Sequence, residues 1–410
     1  MTLNIVTFFS PIASPLFIET HLEKLRESGA RILSAQDFHD DLKSGRDVLH
    51  QRNILYIATG GTERRVAEFV HDTGLESPIV LLSHPQQNSL PAAMEIRTYL
   101  KQHGAESIIV HDPLAKLIER ITRWQIYATH LDNIRGRRLG LIGKPSSWLI
   151  ASNIDVDAVR EVWGIEILEY DLAVLESITT NSEISGVYAS YRDNATDVAI
   201  PVEELKKASQ VAELLHTHIK EQQLDAVSVQ CFDFLMKTKI SGCLALCNAN
   251  NEGFPAGCEG DVPTTISMMI ARELTASPSF MVNVTNVDTS SNSAVFAHCT
   301  VPTSMVRSYD LLTHFESDLS VGIRGEFEEQ PVTVLKVFGR NMLDYWVGSG
   351  SILRNIKDDE GCRTQIMVTL DQDVKYFLEE SLANHHIIIL GDHREKIQDF
   401  FSFVRLTGLH

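Results

Sequence analysis

Short β-rich runs alternate with longer helical patterns through the first third of the chain, and this rhythm limits the fold more than any other feature. Ile54-Leu55-Tyr56-Ile57-Ala58 stops at Thr59-Gly60-Gly61-Thr62, and a helical pattern runs from Glu63 to Asp72. Pro78-Ile79-Val80-Leu81-Leu82 ends in a loop through His84, Pro85 and Asn88, and Pro91 lies at the start of the next helix. Ser107-Ile108-Ile109-Val110 follows as a strand, and residues 113–132 read as one long helix. Strands separated by helical crossovers predict a parallel sheet with helices on both faces.

The rhythm restarts at Arg138-Leu139-Gly140-Leu141-Ile142-Gly143 and continues through Ile165–Leu168, a helix over Val202–Gln222, Ala226–Val229 and a helix from about Pro263 to Leu274. Beyond about residue 295 helices become scarce. Pro331–Val337, Arg363–Val368 and Ile387–Leu390 read as strands, with a helix closing the chain. The expected fold is α/β: two doubly wound parallel-sheet domains followed by a mostly β, barrel-like C-terminal domain. The expected boundaries are 1–135, 136–295 and 296–410, with Glu259 and Asn283 on the second domain and His386 on the third. A chain of 410 residues is long enough for several cores.

Charge and composition exclude some partners. The net charge of −18 argues against nucleic acid and anionic membrane surfaces. The apolar runs are too short to cross a bilayer. The N-terminus, Met1-Thr2-Leu3-Asn4-Ile5-Val6, lacks a basic start and reads as a first strand, not a signal peptide. Six cysteines without paired spacing predict reduced thiols and a cytoplasmic setting. Cys243 and Cys247 enclose Leu244-Ala245-Leu246, which reads as core and not as a zinc knot. No P-loop or dinucleotide fingerprint is present, so Gly60-Gly61-Thr62 is a weak phosphate signal.

The chemistry-bearing residues cluster late. Gly257-Cys258-Glu259-Gly260-Asp261 is a Gly-rich turn before a helix. Asp261 there suits an N-cap. Glu259 sits in a tight, buried turn, where a carboxylate needs a partner or a metal. His298 ends the run Ala294–Ala297. His385 and His386 are adjacent, and in a strand they point to opposite faces, so only one can enter a given pocket. Acidic, amide and imidazole groups at the ends of apolar stretches are what a divalent ion requires. Lys144-Pro145-Ser146-Ser147-Trp148 lies at the carboxyl end of a strand, where open α/β sheets place ligands. Lys144, Ser146 and Trp148 are candidate substrate contacts. His314, Arg324 and Arg363 add basic groups for an anionic sugar, and Glu316 follows close after His314.

Together these segments, with Cys231-Phe232-Asp233 and Glu252-Gly253, resemble the L-fucose/L-arabinose isomerase superfamily, and more closely its fucose-isomerase-like branch. The resemblance implies a divalent cofactor of the Mn²⁺ type and aldose–ketose interconversion through an enediol. The basic groups Lys144, His314, Arg324 and Arg363 make an anionic sugar, for example a sulfonated one, a candidate substrate beside a deoxy sugar. The resemblance also implies metal ligands at Glu259, Asn283 and His386, with Glu259, Asn283 and His298 as catalytic groups. The family has an Asp where this chain has Asn283. Asn offers one carbonyl oxygen and no charge or base. Asp261, His298 or Asp288 are the groups that could substitute. Other readings are an epimerase or lyase on the same scaffold, or a non-catalytic sugar-binding homologue. A homo-oligomer is expected.

Overall fold

The computed structural model describes residues 3–49, 51–177 and 186–406. The chain divides into two compact units, one of residues 1–133 and 399–410, the other of residues 134–398.

The first unit carries β1 (Asn4–Phe8), β2 (Arg31–Ser34), β3 (Asn53–Ile57), β4 (Ile79–Ser83) and β5 (Ser107–His111). They form one sheet in the order β2-β1-β3-β4-β5. Every pairing is parallel. Helices Pro15–Arg26, Ala35–Lys43, Glu63–Thr73 and Ser89–Gln102 connect consecutive strands, as the alternating rhythm predicts. The residues of the central strands β1, β3 and β4 are almost wholly buried under helices, while the edge strands β2 and β5 are partly exposed. Val6, Phe8, Leu55, Ile57 and Leu81 pack with Val66, Phe69, Ile96 and Leu100 in one core.

The second unit opens with β6 (Arg138–Ile142), β7 (Glu166–Tyr170), a short β8 (Asp197–Val198), β9 (Ala226–Val229) and β10 (Ala256–Gly257). A parallel sheet takes the order β10-β9-β6-β7. Its helices include Val202–Glu221, Cys231–Thr238, Cys243–Asn251 and Val262–Thr275. The chain then turns to β structure: β11 (Ser279–Asp288), β12 (Ser293–His298), β13 (Ser308–Leu312), β14 (Gly322–Glu326), β15 (Pro331–Phe338), β16 (Asp344–Ile356), β17 (Thr364–Leu370) and β18 (His386–Leu390). Six of these close a barrel in the order β11-β12-β17-β16-β15-β18, while β14-β13-β8 form a small separate sheet. All barrel pairings are antiparallel. Closure removes exposed strand edges. Asn283 therefore lies on a barrel strand, paired with Ala297 of β12.

Two features position the site. The carboxyl ends of β6, β9 and β10 lie side by side in the parallel sheet. The barrel strands β11 and β12, with the segment just before β18, bring Asn283, His298 and His385 towards them.

Candidate active site

The turn after β10 is built for one purpose: to hold Glu259 in place. Glu259 has a φ of 62° and Gly260 one of 66°, so two consecutive residues are left-handed. Only glycine fits at 260, since a Cβ there would meet Pro145 Cα at 2.9 Å and the Lys144 carbonyl carbon at 2.8 Å. The turn is tied to the loop after β6. Ser146 N donates to the Glu259 carbonyl at 2.9 Å, and Gly260 N donates to Val229 O at 3.0 Å. A non-glycine residue at positive φ is uncommon and is held by its surroundings. Here the backbone conformation turns the Glu259 side chain toward Trp148, whose Nε1–H donates to Oε2 at 2.6 Å.

Asp261 ends the turn and starts the next helix. Its Oδ1 accepts the Thr264 amide at 2.8 Å, the N-cap expected from sequence. Its Oδ2 accepts Thr264 Oγ1 at 2.8 Å and His385 Nδ1–H at 2.8 Å. Lys336 Nζ lies 4.0 Å from the same oxygen and donates to Thr264 Oγ1 at 2.7 Å. Lys336 and His385 are fully buried, and Asp261 is 1% exposed. A buried ammonium needs such a partner.

His385 then faces Glu259. Its Nε2 lies 3.5 Å from Glu259 Oε1. That is an electrostatic contact, too long for a hydrogen bond, and it leaves Nε2 buried without a hydrogen-bond partner. His298 completes the group, its ring centroid 5.8 Å from that of His385. Thr300 Oγ1 engages His298 Nδ1 at 3.0 Å. Ligand atoms of Glu259, His298 and His385 all lie within 4.8 Å of one another.

The charges are set by this packing. Burial pushes the Glu259 carboxyl up, but the His385 and His298 imidazoles and the Trp148 hydrogen bond outweigh it and leave it below its ordinary value. Burial likewise opposes ionisation of Asp261, yet Lys336 and His385 hold it far below the carboxylate range. His385 would be pushed down by burial, but Asp261 and Glu259 raise it above an ordinary imidazole. His298 is pushed down to about 4 by burial and by the His385 charge. The result is an anionic Glu259 beside a neutral imidazole, with an imidazole whose Nδ1–H is pinned by a carboxylate. One carboxylate oxygen and two imidazole nitrogens, one of them an orphaned buried Nε2, form a donor set that fits a divalent transition ion. The Asp261–His385 bond is the outer contact that such ligands usually make.

Glu259 and His298 border a cavity of about 360 Å³, with the fully buried His385 packed against Glu259. Trp148, Phe232, Asn283, His314 and Glu316 also line it. Its volume suits a small molecule. Its place, beyond the carboxyl ends of β6, β9 and β10, is where open α/β sheets bind ligands.

Of the residues expected from sequence, Trp148, Glu259, Asn283, His298 and His314 line this cavity. Ser146 is buried behind it and supports the turn through its backbone amide. Lys144 is exposed, and its amide donates to Gln230 Oε1 at 2.9 Å. His386 lies elsewhere. It begins β18, Cα-paired with Val282, and its ring packs among Trp346, Tyr376 and Phe377. Its Nδ1–H donates to Asn384 O at 3.1 Å and its Nε2 accepts the Tyr376 hydroxyl at 3.0 Å. Burial pushes it down to about 3. The histidine beside Glu259 is therefore His385, not the expected His386. Arg324 is taken up by Asp310, with Nε at 3.1 Å and a terminal nitrogen at 2.9 Å from Oδ2. Arg363 donates to the Thr313 carbonyl at 2.8 Å and hydroxyl at 3.2 Å. Neither arginine lines the cavity. Asp288 binds Ser290 and Ser291 of its own turn.

The expectation of uniformly reduced thiols is overturned. Cys231 and Cys258 are disulfide-bonded, although 27 residues separate them. Each follows its strand, β9 or β10, and those strands are paired, so no local spacing announced the bond. The thiol count thus no longer argues for a reducing compartment. Among the described residues no helix is long and apolar enough to cross a membrane.

Sequence reasoning notes Glu316 close after His314 without giving it a role, and it misses Lys336. Lys336 did carry a signal: a lone ammonium within Pro331-Val332-Thr333-Val334-Leu335-Lys336-Val337 must find a carboxylate if the strand is buried.

No protein-family model matches the chain. Among solved structures, D-threo-3-hydroxyaspartate dehydratase from Delftia sp. HT23 aligns with 9% identity and a TM-score of 0.15, covering 100% of this chain and 86% of that one. At that score the alignment bears on neither fold nor function. Sulfoquinovose isomerases of Priestia aryabhattai and Priestia megaterium (strain ATCC 12872 / QMB1551) are each 22% identical over 306 residues, 71% of this chain and 65% of theirs. A sulfoquinovose isomerase of Clostridium sp. (strain MSTE9) is 25% identical over 203 residues, 47% of this chain and 45% of its own. The chain is thus a distant relative of proteins named as sulfoquinovose isomerases, and the match spans just under two thirds of the length of the Priestia proteins.

Proposed function

We propose that the protein is a metal-dependent aldose–ketose isomerase of the fucose-isomerase-like kind, acting on a small sugar through an enediol. The observation that carries this reading is the convergence of ligand atoms of Glu259, His298 and His385, all within 4.8 Å of one another, with Glu259 and His298 at the cavity. The relatives' names support the reaction class. Glu259, His298 and His385 would hold a divalent ion, Mn²⁺ or a similar one. Such an ion polarises carbonyl and hydroxyl oxygens as a Lewis acid.

The chain's own groups supply the rest. Isomerisation moves a proton between neighbouring carbons and needs a carboxylate or imidazole within reach of both. Glu259 is held anionic, with Oε2 accepting the Trp148 N–H and Oε1 facing the His385 ring, and serves as a ligand and not as the base. Glu316 is the second carboxylate in the lining and in this reading carries the proton. Trp148 and Phe232, ring centroids 5.4 Å apart and near perpendicular, offer an apolar wall for a sugar ring. Asn283 contributes an uncharged amide for a hydroxyl or for the ion. The reading extends to a cytoplasmic homo-oligomer.

A sulfonated sugar is part of the reading and rests on the relatives' names. Arg324 and Arg363 are occupied by Asp310 and Thr313. Exposed Lys144 is the remaining candidate cation for a sulfonate.

The test uses purified protein with Mn²⁺ in heavy water, offered sulfoquinovose or a neutral aldose. Ketose formation with deuterium at carbon 1, lost on chelation and restored by Mn²⁺, is the expected result. Glu316→Gln should keep Mn²⁺ and lose roughly 10²–10⁴-fold in kcat, the usual worth of a positioned acid–base group. Retained Mn²⁺ with no interconversion of either sugar would reject the isomerase and leave a binding protein.

A further inference from the structure

Five of the chain's six cysteines line the cavity beside Glu259: Cys231, Cys243, Cys258, Cys299 and Cys362. Two of them are already joined, Cys231 to Cys258. The isomerase reading uses none of them. The remaining three are free thiols, with Cys243 and Cys299 buried and Cys362 half-buried.

Cys299 and Cys362 are brought together by the barrel. Cys299 directly follows β12 and Cys362 lies two residues before β17, and the two strands pair at this end with His298 opposite Thr364. Neighbouring antiparallel backbones run about 5 Å apart, within the Cα separation that a disulfide spans. Cys362 is the first influence on the Cys299 thiol and lowers it, as expected of neighbouring side chains. The Arg363 amide donates to the same sulfur at 3.4 Å, which fixes the Cys299 side chain toward its neighbour. Both sulfurs border the cavity, so a small polar oxidant that enters it meets this pair.

We propose that Cys299 and Cys362 are a redox-modification site, a dithiol that small hydroperoxides convert into a second disulfide in the cavity wall. One sulfur of the pair, as its thiolate, attacks the peroxide, taking one oxygen to become a sulfenic acid while the hydroperoxide is reduced to an alcohol, or to water for hydrogen peroxide. The second sulfur then attacks the sulfenic sulfur. The S–S bond forms, the S–O bond breaks, and the oxygen leaves as water with the second thiol's proton. A dithiol reductant reverses the bond by exchange. Two cysteines at the paired ends of neighbouring strands, both on the cavity wall, need no large backbone movement, and oxidation past sulfenic acid is intercepted. Cys299 adjoins His298, so the bond would hold that imidazole from one side. The site itself does not depend on the isomerase reading.

The experiment treats the full chain with hydrogen peroxide, alkylates the remaining thiols, digests without reduction and maps the cross-linked peptides by mass. The expected result is a Cys299–Cys362 pair, lighter by two hydrogens, rising from absent to the dominant form of both residues. Cys247 stays alkylatable after unfolding, and dithiothreitol removes the pair. In Cys299→Ser the cross-link is lost, and the sulfenic acid formed in one or other single variant, with no second sulfur to resolve it, is trapped by a 1,3-diketone. Cys362→Ser, at a half-buried position that tolerates substitution better, must also lose the pair. Wild-type protein in which Cys362 is oxidised without joining Cys299, or in which it joins Cys243, would overturn the proposal. The mapping reads sulfur chemistry alone, so its failure would leave the isomerase reading untouched, and failure of the isomerase assay would not affect the mapping.

Discussion

In the first unit His84 directly follows β4, and His21 lies on the helix after β1, with ring centroids 5.0 Å apart. In the second unit His298 and His385 lie 5.8 Å apart near the carboxyl ends of another parallel sheet. Both pairs are buried. Their partners differ. His21 Nδ1 meets the Tyr56 hydroxyl at 2.6 Å, while His84 Nε2–H donates to Ala58 O at 2.9 Å and its Nδ1 accepts the Gln86 amide at 3.3 Å. Burial and the neighbouring imidazole push His21 down to about 4, and burial lowers His84 as well. The first pair is therefore neutral and satisfied by phenol and backbone. The second faces two carboxylates and a buried ammonium, and one imidazole nitrogen is left without a hydrogen bond. The placement at a sheet's end is shared; only the carboxylates make one pair a chemical centre.

The largest expected effect follows from that difference. Glu259→Gln and His385→Ala should each abolish Mn²⁺ retention, measured by metal analysis after gel filtration, and turnover with it. His84→Gln and His386→Phe should leave both intact. Loss of Mn²⁺ in His386→Phe at unchanged fold, with retention in His385→Ala, would reverse the assignment of the two adjacent histidines.

Next in size is the support behind the site. Asp261→Asn leaves Lys336 buried without a counter-charge and takes a charged partner from His385. Breaking one side of a buried pair costs roughly 3–5 kcal/mol, readable by urea unfolding. Adding Lys336→Met should restore much of that stability, because two charges of this kind can be replaced together by apolar packing. It should not restore Mn²⁺ affinity, because His385 still lacks its carboxylate. Additive losses in the double variant would mean that Lys336 and Asp261 do not depend on each other.

Most of the fold was legible because its signals are local. Turn residues after each strand and helical spacing between strands announced both parallel sheets, and the fading of helices announced the barrel. Glu259 was legible for the same reason: a carboxylate between Cys258 and Gly260 has little reason to be there unless it is held. The histidine choice was not legible. Alternation says that one of His385 and His386 enters the cavity, but Ile387, Ile388 and Ile389 are all buried, so no polar face marks which way the strand is turned. Its register against β11 decides, and that is a long-range fact. The Cys231–Cys258 bond and the Asp261–Lys336 pair are long-range in the same way. The arginines failed differently: Arg324 and Arg363 are basic as expected, but Asp310 and Thr313 take them up first.

The smallest effect tests the neutral pair by acidification. His21 titrates near 4 in the folded chain against an ordinary 6.5, and His84 is also lowered. Between these values the unfolded chain binds protons that the folded chain does not. Stability contributed by the pair is complete above the unfolded value and declines as pH falls from about 6.5 to about 4. The loss approaches roughly 1.4 kcal/mol per pH unit for each imidazole that takes up a full proton. His385 has the opposite sign. Its folded value is raised, so its contribution is present at low pH and lost as pH rises through that value; the same acid step takes nothing from it. Lys24 and His111 also act on the first pair, lowering it further. Amide exchange of β3 and β4, corrected for intrinsic rates, should therefore show lower protection at pH 5 than at pH 7, with β9 and β18 much less affected. His21→Phe should flatten the response in β3 and β4 while lowering protection at both pH values, since the Tyr56 hydroxyl loses its partner. An unchanged slope in that variant would mean that the first pair is not what titrates, and the electrical contrast between the two sheet ends would fail.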